Sequence, residues 1–168
     1  MITSIKAMQV LIASTAAAFI IFPEAKNNPG LSLEGSGVIT VGSSENSAYG
    51  LDTSIKGPTL TQFLGVRPAI SFTLLSTETY LLGLGIDKTV SINNLDITLS
   101  FYPSYSHIGE KDKNIANGSL NFKTTLDVSY AINNVLKLGL GMAHISNGGI
   151  KKPNKGLNFI KILAIIDF

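Results

Sequence analysis

His144 and Ser146 stand two residues apart, at the end of a run in which Leu136, Leu138, Leu140 and Met142 alternate with Lys137, Gly139 and Gly141. A neutral imidazole beside a serine hydroxyl can take the hydroxyl proton, let the oxygen attack an acyl carbon, and return the proton to a leaving alkoxide. On a β-strand, positions i and i+2 share a face and lie about 6–7 Å apart along the chain, so the imidazole can lean onto the hydroxyl. Acyl transfer also needs donors for the oxyanion. Asn147 and the backbone N–H groups of Gly148 and Gly149 follow directly, and glycine lets backbone come close to a ligand. Read from spacing alone, the same residues suit rim polars of a membrane barrel better than a catalytic pair, with Gly148-Gly149 as a turn.

The element that presents the pair is a strand, and its parity fixes the face. The apolar positions of residues 135–146 are even, so His144 and Ser146 point to the oily side, near one rim. The same period of two runs from Gly37 onward. In residues 120–132, Leu120, Phe122, Leu126, Val128, Tyr130 and Ile132 face one way and Asn121, Lys123, Thr125, Asp127 and Ser129 the other. Residues 95–101 and 80–87 repeat the pattern, residues 66–74, 49–55 and 157–168 follow it more loosely, and a weaker strand is expected near residues 38–43. Eight strands of this kind predict an all-β fold, an eight-stranded antiparallel transmembrane β-barrel.

The polar face would then line the lumen, where Asp52, Lys56, Arg67, Asp87, Asp96, Lys123, Asp127, Lys137, Lys161 and Asp167 supply charges of both signs. Acids and bases together can build a hydrogen-bonded plug. The alternative is a soluble ligand-binding barrel with the oily face inward. Asn93-Asn94 and Asn133-Asn134 predict tight turns at one end, because Asn tolerates positive φ. Residues 106–118 and 147–156 form longer loops at the other end, the outer-membrane arrangement.

Composition agrees. The chain has 168 residues, enough for one domain, with 14% charged and 45% hydrophobic residues, and a mean hydropathy of +0.30. Past the first 25 residues no apolar run is long enough for a membrane helix. Residues 1–25 read as a signal peptide, with Lys6, an apolar core and Ala16 to Ala18, and cleavage is expected between residues 18 and 25. Residues 26–168 are then the barrel. A net charge of +2, scattered along the chain, excludes a nucleic-acid footprint. The absence of cysteine excludes disulfides, a thiol nucleophile and a Cys-based zinc site. His107, Glu110 and Asp112 share a loop but read as solvated surface, and no metal or cofactor is expected. Phe168, a terminal aromatic in an apolar strand, resembles the signal that outer-membrane barrels offer their assembly machinery.

The run GLGMAHISNGGIKKPNKGLNF, residues 139–159, resembles the C-terminal signature of the lipid A 3-O-deacylase family, also described as acyloxyacyl hydrolase-like. Further upstream the likeness is one of pattern, with Arg67-Pro68 leading into a strand. The resemblance implies an outer-membrane serine esterase that removes an ester-linked acyl chain from lipid A in the outer leaflet of a bacterial cell. It makes His144 the general base, Ser146 the nucleophile, and Asn147 with Gly148 the oxyanion region. Lys151, Lys152 and Lys155 are placed to meet lipid A phosphates. One position departs: twelve residues after the serine the family pattern carries an acid that orients the histidine, whereas this chain has Asn158. An amide oxygen can accept from the imidazole but stabilises an imidazolium less than a carboxylate does. The rival from another class is therefore a catalytically silent structural or adhesive barrel.

Overall fold

The computed structural model describes residues 30–41, 48–60, 65–113 and 117–168. The signal-peptide expectation lies outside them. Eight strands follow one another: β1 (Ser32–Thr40), β2 (Tyr49–Lys56), β3 (Val66–Leu75), β4 (Tyr80–Ile92), β5 (Leu95–His107), β6 (Leu120–Ala131), β7 (Leu136–Ser146) and β8 (Leu157–Asp167). Each pairs antiparallel with the next, and β1 pairs with β8 from Ser32↔Asp167 to Thr40↔Phe159, which closes the barrel. Closure leaves no sheet edge, the condition under which strands can cross hydrocarbon.

The two faces divide as the parity predicts. Leu51, Leu84, Leu140 and Ile162, from four different strands, are each more than 60% exposed on the outside. A protein surrounded by water would not present so continuous a band of Leu, Ile, Val and Phe. The outward grease overturns the soluble-barrel alternative: this is a transmembrane β-barrel. Tyr49, Tyr80 and Tyr105 project at the loop end, where a ring with a polar tip suits the headgroup level.

Inside, ion pairs fill the middle of the lumen. Lys56 bridges Glu34 at 2.7 Å and Asp87 at 2.9 Å. Lys161 meets Glu34 at 2.7 Å, Asp127 at 3.2 Å and Asp52 at 3.4 Å, and Lys123 meets Asp52 at 2.6 Å. Tyr102 donates its hydroxyl to Asp87 at 2.6 Å, and the Lys123 ammonium lies 5.0 Å from the centre of its ring. A second cluster sits at the turn end. Lys137 joins Asp96 and Asp167 at 2.7 and 2.8 Å there, while Arg67 donates to Ser32 Oγ and the Gly57 carbonyl. All ten charged residues expected in the lumen are there. The space is tight: a Cβ on Gly141 would stand 1.8 Å from Asp127 Oδ1, so only glycine fits opposite that carboxylate.

Four details differ from the sequence reading. β1 begins at Ser32, well before the expected residues 38–43, because Gly35 and Gly37 occupy outward positions where an alternating pattern would show grease. That shift brings in Glu34, a lumen residue the sequence reading omitted. β5 runs on past Phe101 to His107, beyond Pro103, which has no N–H to give; its pairing with β4 lapses between Gly83↔Ser104 and Ile86↔Phe101. The lumen is not polar throughout, for Val38, Leu75, Leu81, Ile108, Ala143, Ile145, Leu157 and Phe159 form an apolar cap at the loop end. Finally, the two Asn turns work differently. Asn93 adopts φ 56°, whereas Asn133 turns the chain by accepting the N–H groups of Val135 and Leu136 on its side-chain oxygen, both at 2.8 Å.

The lumen network sets a stability prediction. Lys161→Met leaves Glu34 and Asp127 short of countercharge in a dry interior, at a cost of about 3–5 kcal/mol. Urea titration of the folded-to-unfolded gel band in detergent should show the midpoint falling sharply, with exposed Lys152→Met as the unaffected control.

Candidate active site

β7 carries His144 on the same side as the exposed Leu138 and Leu140, while its neighbours Ala143 and Ile145 point into the apolar cap of the lumen. β8 carries Asn158 on the side of the exposed Ile160 and Ile162. The register sets His144 directly opposite Asn158, and the two side chains meet on the outer face of the barrel, with Nδ1 of His144 2.8 Å from Oδ1 of Asn158. With an amide oxygen as its partner, Nδ1 bears the ring proton and Nε2 keeps the lone pair. Nε2 is buried and has no hydrogen-bond partner. A lone pair held this way is chemically able to accept a proton from a hydroxyl.

His144 is only 7% exposed although it faces outward. Its cover comes from the loop that joins β7 to β8. Gly156 has φ 78°, and a Cβ there would lie 2.4 Å from Cε1 and 3.1 Å from Nε2 of the ring. Both the backbone conformation and the contact demand glycine, so Gly156 fixes one wall of the imidazole's seat. The sequence reading missed this residue. Its signal was a glycine just before the last strand, where a left-handed backbone is common. Thr124 lies opposite His144 on β6, so the ring sits between Thr124 and Asn158. Ser146, half-buried, follows two residues on, toward the loop end of the same face.

The oxyanion candidates are unequally available. Asn147 is buried, and its side-chain amide donates to the carbonyls of Asn117 and Lys151 at 2.6 and 2.5 Å. Its own N–H goes to Asn154 Oδ1 at 3.0 Å, and its side-chain oxygen accepts the Gly149 N–H at 2.9 Å. Asn147 therefore braces the loop, and of the three expected donors the Gly148 N–H is the remaining candidate. Gly148 is exposed, with φ 64°.

Lys151, Lys152 and Lys155 are all exposed on this loop. His107 stands apart from the site and stacks on Tyr80 with ring centres 5.0 Å apart. Asp112 is buried, where it accepts the hydroxyls of Thr77 and Thr79 and so pins its own segment to the β3–β4 turn. Among the described residues no group of His, Asp and Glu could hold a metal ion. Phe168 is exposed at the turn end, its N–H bonded to the Leu31 carbonyl.

A family model described as lipid A 3-O-deacylase (PagL) matches residues 48–165. Three solved structures share the fold. The outer-membrane enzyme PagL is 15% identical with a TM-score of 0.57, over 80% of this chain and 99% of that one. Neisserial surface protein A is 15% identical with a TM-score of 0.54, over 85% of this chain and 100% of that one. A de novo designed transmembrane β-barrel is 11% identical with a TM-score of 0.53, over 84% of this chain and 98% of that one. No curated protein matches this chain.

The seat of the imidazole yields a spectroscopic prediction. The chain has only two histidines, so nitrogen-15 spectra of the His107→Ala protein report His144 alone. They should show the tautomer with the proton on Nδ1, and adding Gly156→Ala should disturb it while the folded gel band persists. An Nε2-protonated ring in the parent would contradict the hydrogen bond to Asn158.

Proposed function

The chain belongs to the lipid A 3-O-deacylase (PagL) family, and from that premise we propose that it is a serine esterase that removes an ester-linked acyl chain from lipid A. The observation that carries the reading is the His144–Asn158 pair on the lipid-facing side, with Nε2 buried, unpartnered and two residues from Ser146. In this reading Nε2 takes the proton from Ser146 as its Oγ attacks the ester carbonyl. The Gly148 N–H meets the oxyanion, and Asn147 holds the loop that aims it. Collapse of the tetrahedral adduct expels the sugar alkoxide, which receives the proton from His144. Water, activated by the same base, then cleaves the acyl-serine, so the products are a free fatty acid and a deacylated lipid A. The chemistry needs neither metal nor cofactor.

The location suits such a substrate. Ser146 lies at the loop end of β7, close to the outer-leaflet headgroups, so the ester of a membrane-resident lipid can reach it without leaving the bilayer. The exposed Lys151, Lys152 and Lys155 then stand beside the lipid's phosphates as donors. The rival is a silent scaffold, and the observation that favours it is the amide at position 158, which supports an imidazolium less than a carboxylate would.

Mass spectrometry of lipid A from cells producing the wild type or Ser146→Ala separates the two. Loss of one acyl chain with the wild type alone is the expected result, and identical spectra end the esterase reading. A second variant tests the amide itself. Asn158→Asp keeps an oxygen in place and adds charge to steady the imidazolium, so the rate of acyl release should rise at least about tenfold. The roughly 10⁴ penalty seen where an amide selects the wrong tautomer is an upper bound, because the tautomer here is the correct one. A rate that falls in Asn158→Asp would show that residue 158 does not orient the base.

A further inference from the structure

Lys88 carries a full charge on the outer wall of the barrel. It shares its face of β4 with the exposed Leu82, Leu84 and Ile86, while Asp87 beside it points into the lumen to meet Lys56. Every other outward position of the eight strands carries an uncharged residue or a histidine. The register sets Lys88 between Val66 of β3 and Leu99 of β5, with Leu126 of β6 beyond, so its row is otherwise aliphatic. The lumen lysines 56, 123, 137 and 161 each lie within 2.7 Å of a carboxylate. Lys88, half-buried, has no such partner among the described residues. Its depth follows from the strand. β4 ends four residues on at Ile92, which shares a row with Leu95 and Tyr130. Tyr130 is outward, and its hydroxyl accepts from Asn94 Nδ2 at 3.4 Å, so it marks the headgroup level at the turn end. Four residues of a tilted strand cover about 13 Å along the chain and about 10 Å along the membrane normal. Lys88 therefore stands in the turn-side half of a hydrocarbon layer roughly 30 Å thick.

We propose that Lys88 holds the phosphate of an anionic phospholipid in the turn-side leaflet, with the lipid's acyl chains lying over Val66, Leu99 and Leu126. An ammonium facing hydrocarbon is costly when left alone, and a lysine relieves the cost by running its stem along apolar neighbours toward the nearer interface. The barrel supplies no anion for it there. Asp96 and Asp167, the carboxylates of the turn end, lie inside and are both held by Lys137. An anion that reaches a charge ringed by aliphatic side chains must bring apolar tails of its own, which makes the occupant a lipid and not free phosphate. A headgroup with net negative charge suits it best, because a headgroup that carries its own cation already compensates its phosphate. This site is on the opposite leaflet from the candidate active site and does not depend on the esterase reading.

The test refolds the full barrel into vesicles of phosphatidylcholine, with or without one third phosphatidylglycerol, and reads the urea midpoint of the folded gel band. Phosphatidylglycerol should raise the midpoint of the wild type. Lys88→Met should exceed the wild type in pure phosphatidylcholine, because a charge facing hydrocarbon is gone, and should lose most of the rise. Lys88→Arg should keep the rise, and so should Lys152→Met in the loop at the other end. Native mass spectrometry in detergent reads the binding itself. Lys88→Met should take up its first phosphatidylglycerol at least about fivefold more weakly than the wild type, the weight of one lysine at an anionic membrane surface. Millimolar inorganic phosphate should leave the wild-type adduct in place. A phosphatidylglycerol response that Lys88→Met retains in full overturns the proposal. So does an equal loss in Lys152→Met, or displacement of the lipid by inorganic phosphate.

Discussion

Everything in this molecule follows from the requirement that no backbone N–H or C=O go unpaired in hydrocarbon. Eight strands meet it only by closing on themselves, and closing with so few strands leaves a narrow lumen that side chains largely fill. The inward face must then be filled at high density by residues that satisfy one another. Lys56, Lys123 and Lys161 against Glu34, Asp52, Asp87 and Asp127 do this at the centre, while Val38, Ile145, Leu157 and Phe159 do it with grease near the loops. Glycines at the inward positions of β4 and β7 belong to the same constraint, for they make room where a carboxylate or an aromatic ring crosses the axis.

With the lumen largely filled, the candidate site stands on the outer wall. Polar groups there are costly at the bilayer centre and inexpensive near headgroups, and the candidate site lies at the loop end of β7 and β8. Even so, His144 is not left to lipid. Asn158 satisfies one ring nitrogen, Gly156 brings the loop down against the ring, and Asn147 ties that loop to the neighbouring β5–β6 loop through the Asn117 carbonyl. The rigid sheet sets the His144–Asn158 register, and the loop supplies the cover. A site assembled this way can hold a neutral imidazole in one tautomer at the edge of a membrane, with its basic nitrogen protected from bulk water.

Much of this was legible in the residues alone. Strict alternation over residues 95–101 and 120–132 gave the strands and their faces, and the parity of β7 placed His144 on the lipid side before any coordinate did. Asn158 was legible too, because the antiparallel return of β8 carries it to the same face. What escaped notice depends on events the period of two does not record. β1 carries glycine at outward positions, so its pattern is faint, and Glu34 went unseen although it receives two lysines. The apolar cap was hidden because an inward Leu or Ile in a mostly polar register looks like noise. Asn147 looked like an oxyanion donor by adjacency, yet its hydrogen bonds are spent on loop carbonyls that are remote in sequence. Gly156 needed a measured φ and a ring beside it.

The amide at position 158 is best understood against the rule that the lumen obeys. Every carboxylate buried at the centre of the barrel has a lysine within 3.4 Å. Asn158 is 6% exposed, faces the lipid side, and has the His144 imidazole as its partner. A carboxylate there would be a buried charge with a single ring N–H, that of His144, to compensate it. In the resting protein it would be a net cost to the folded state. The amide removes that cost and still holds the ring by its oxygen. It gives up the stabilisation that a negative neighbour would offer a protonated ring. In the proposed esterase, burial and acyl transfer would make opposite demands on position 158, and the amide meets the first.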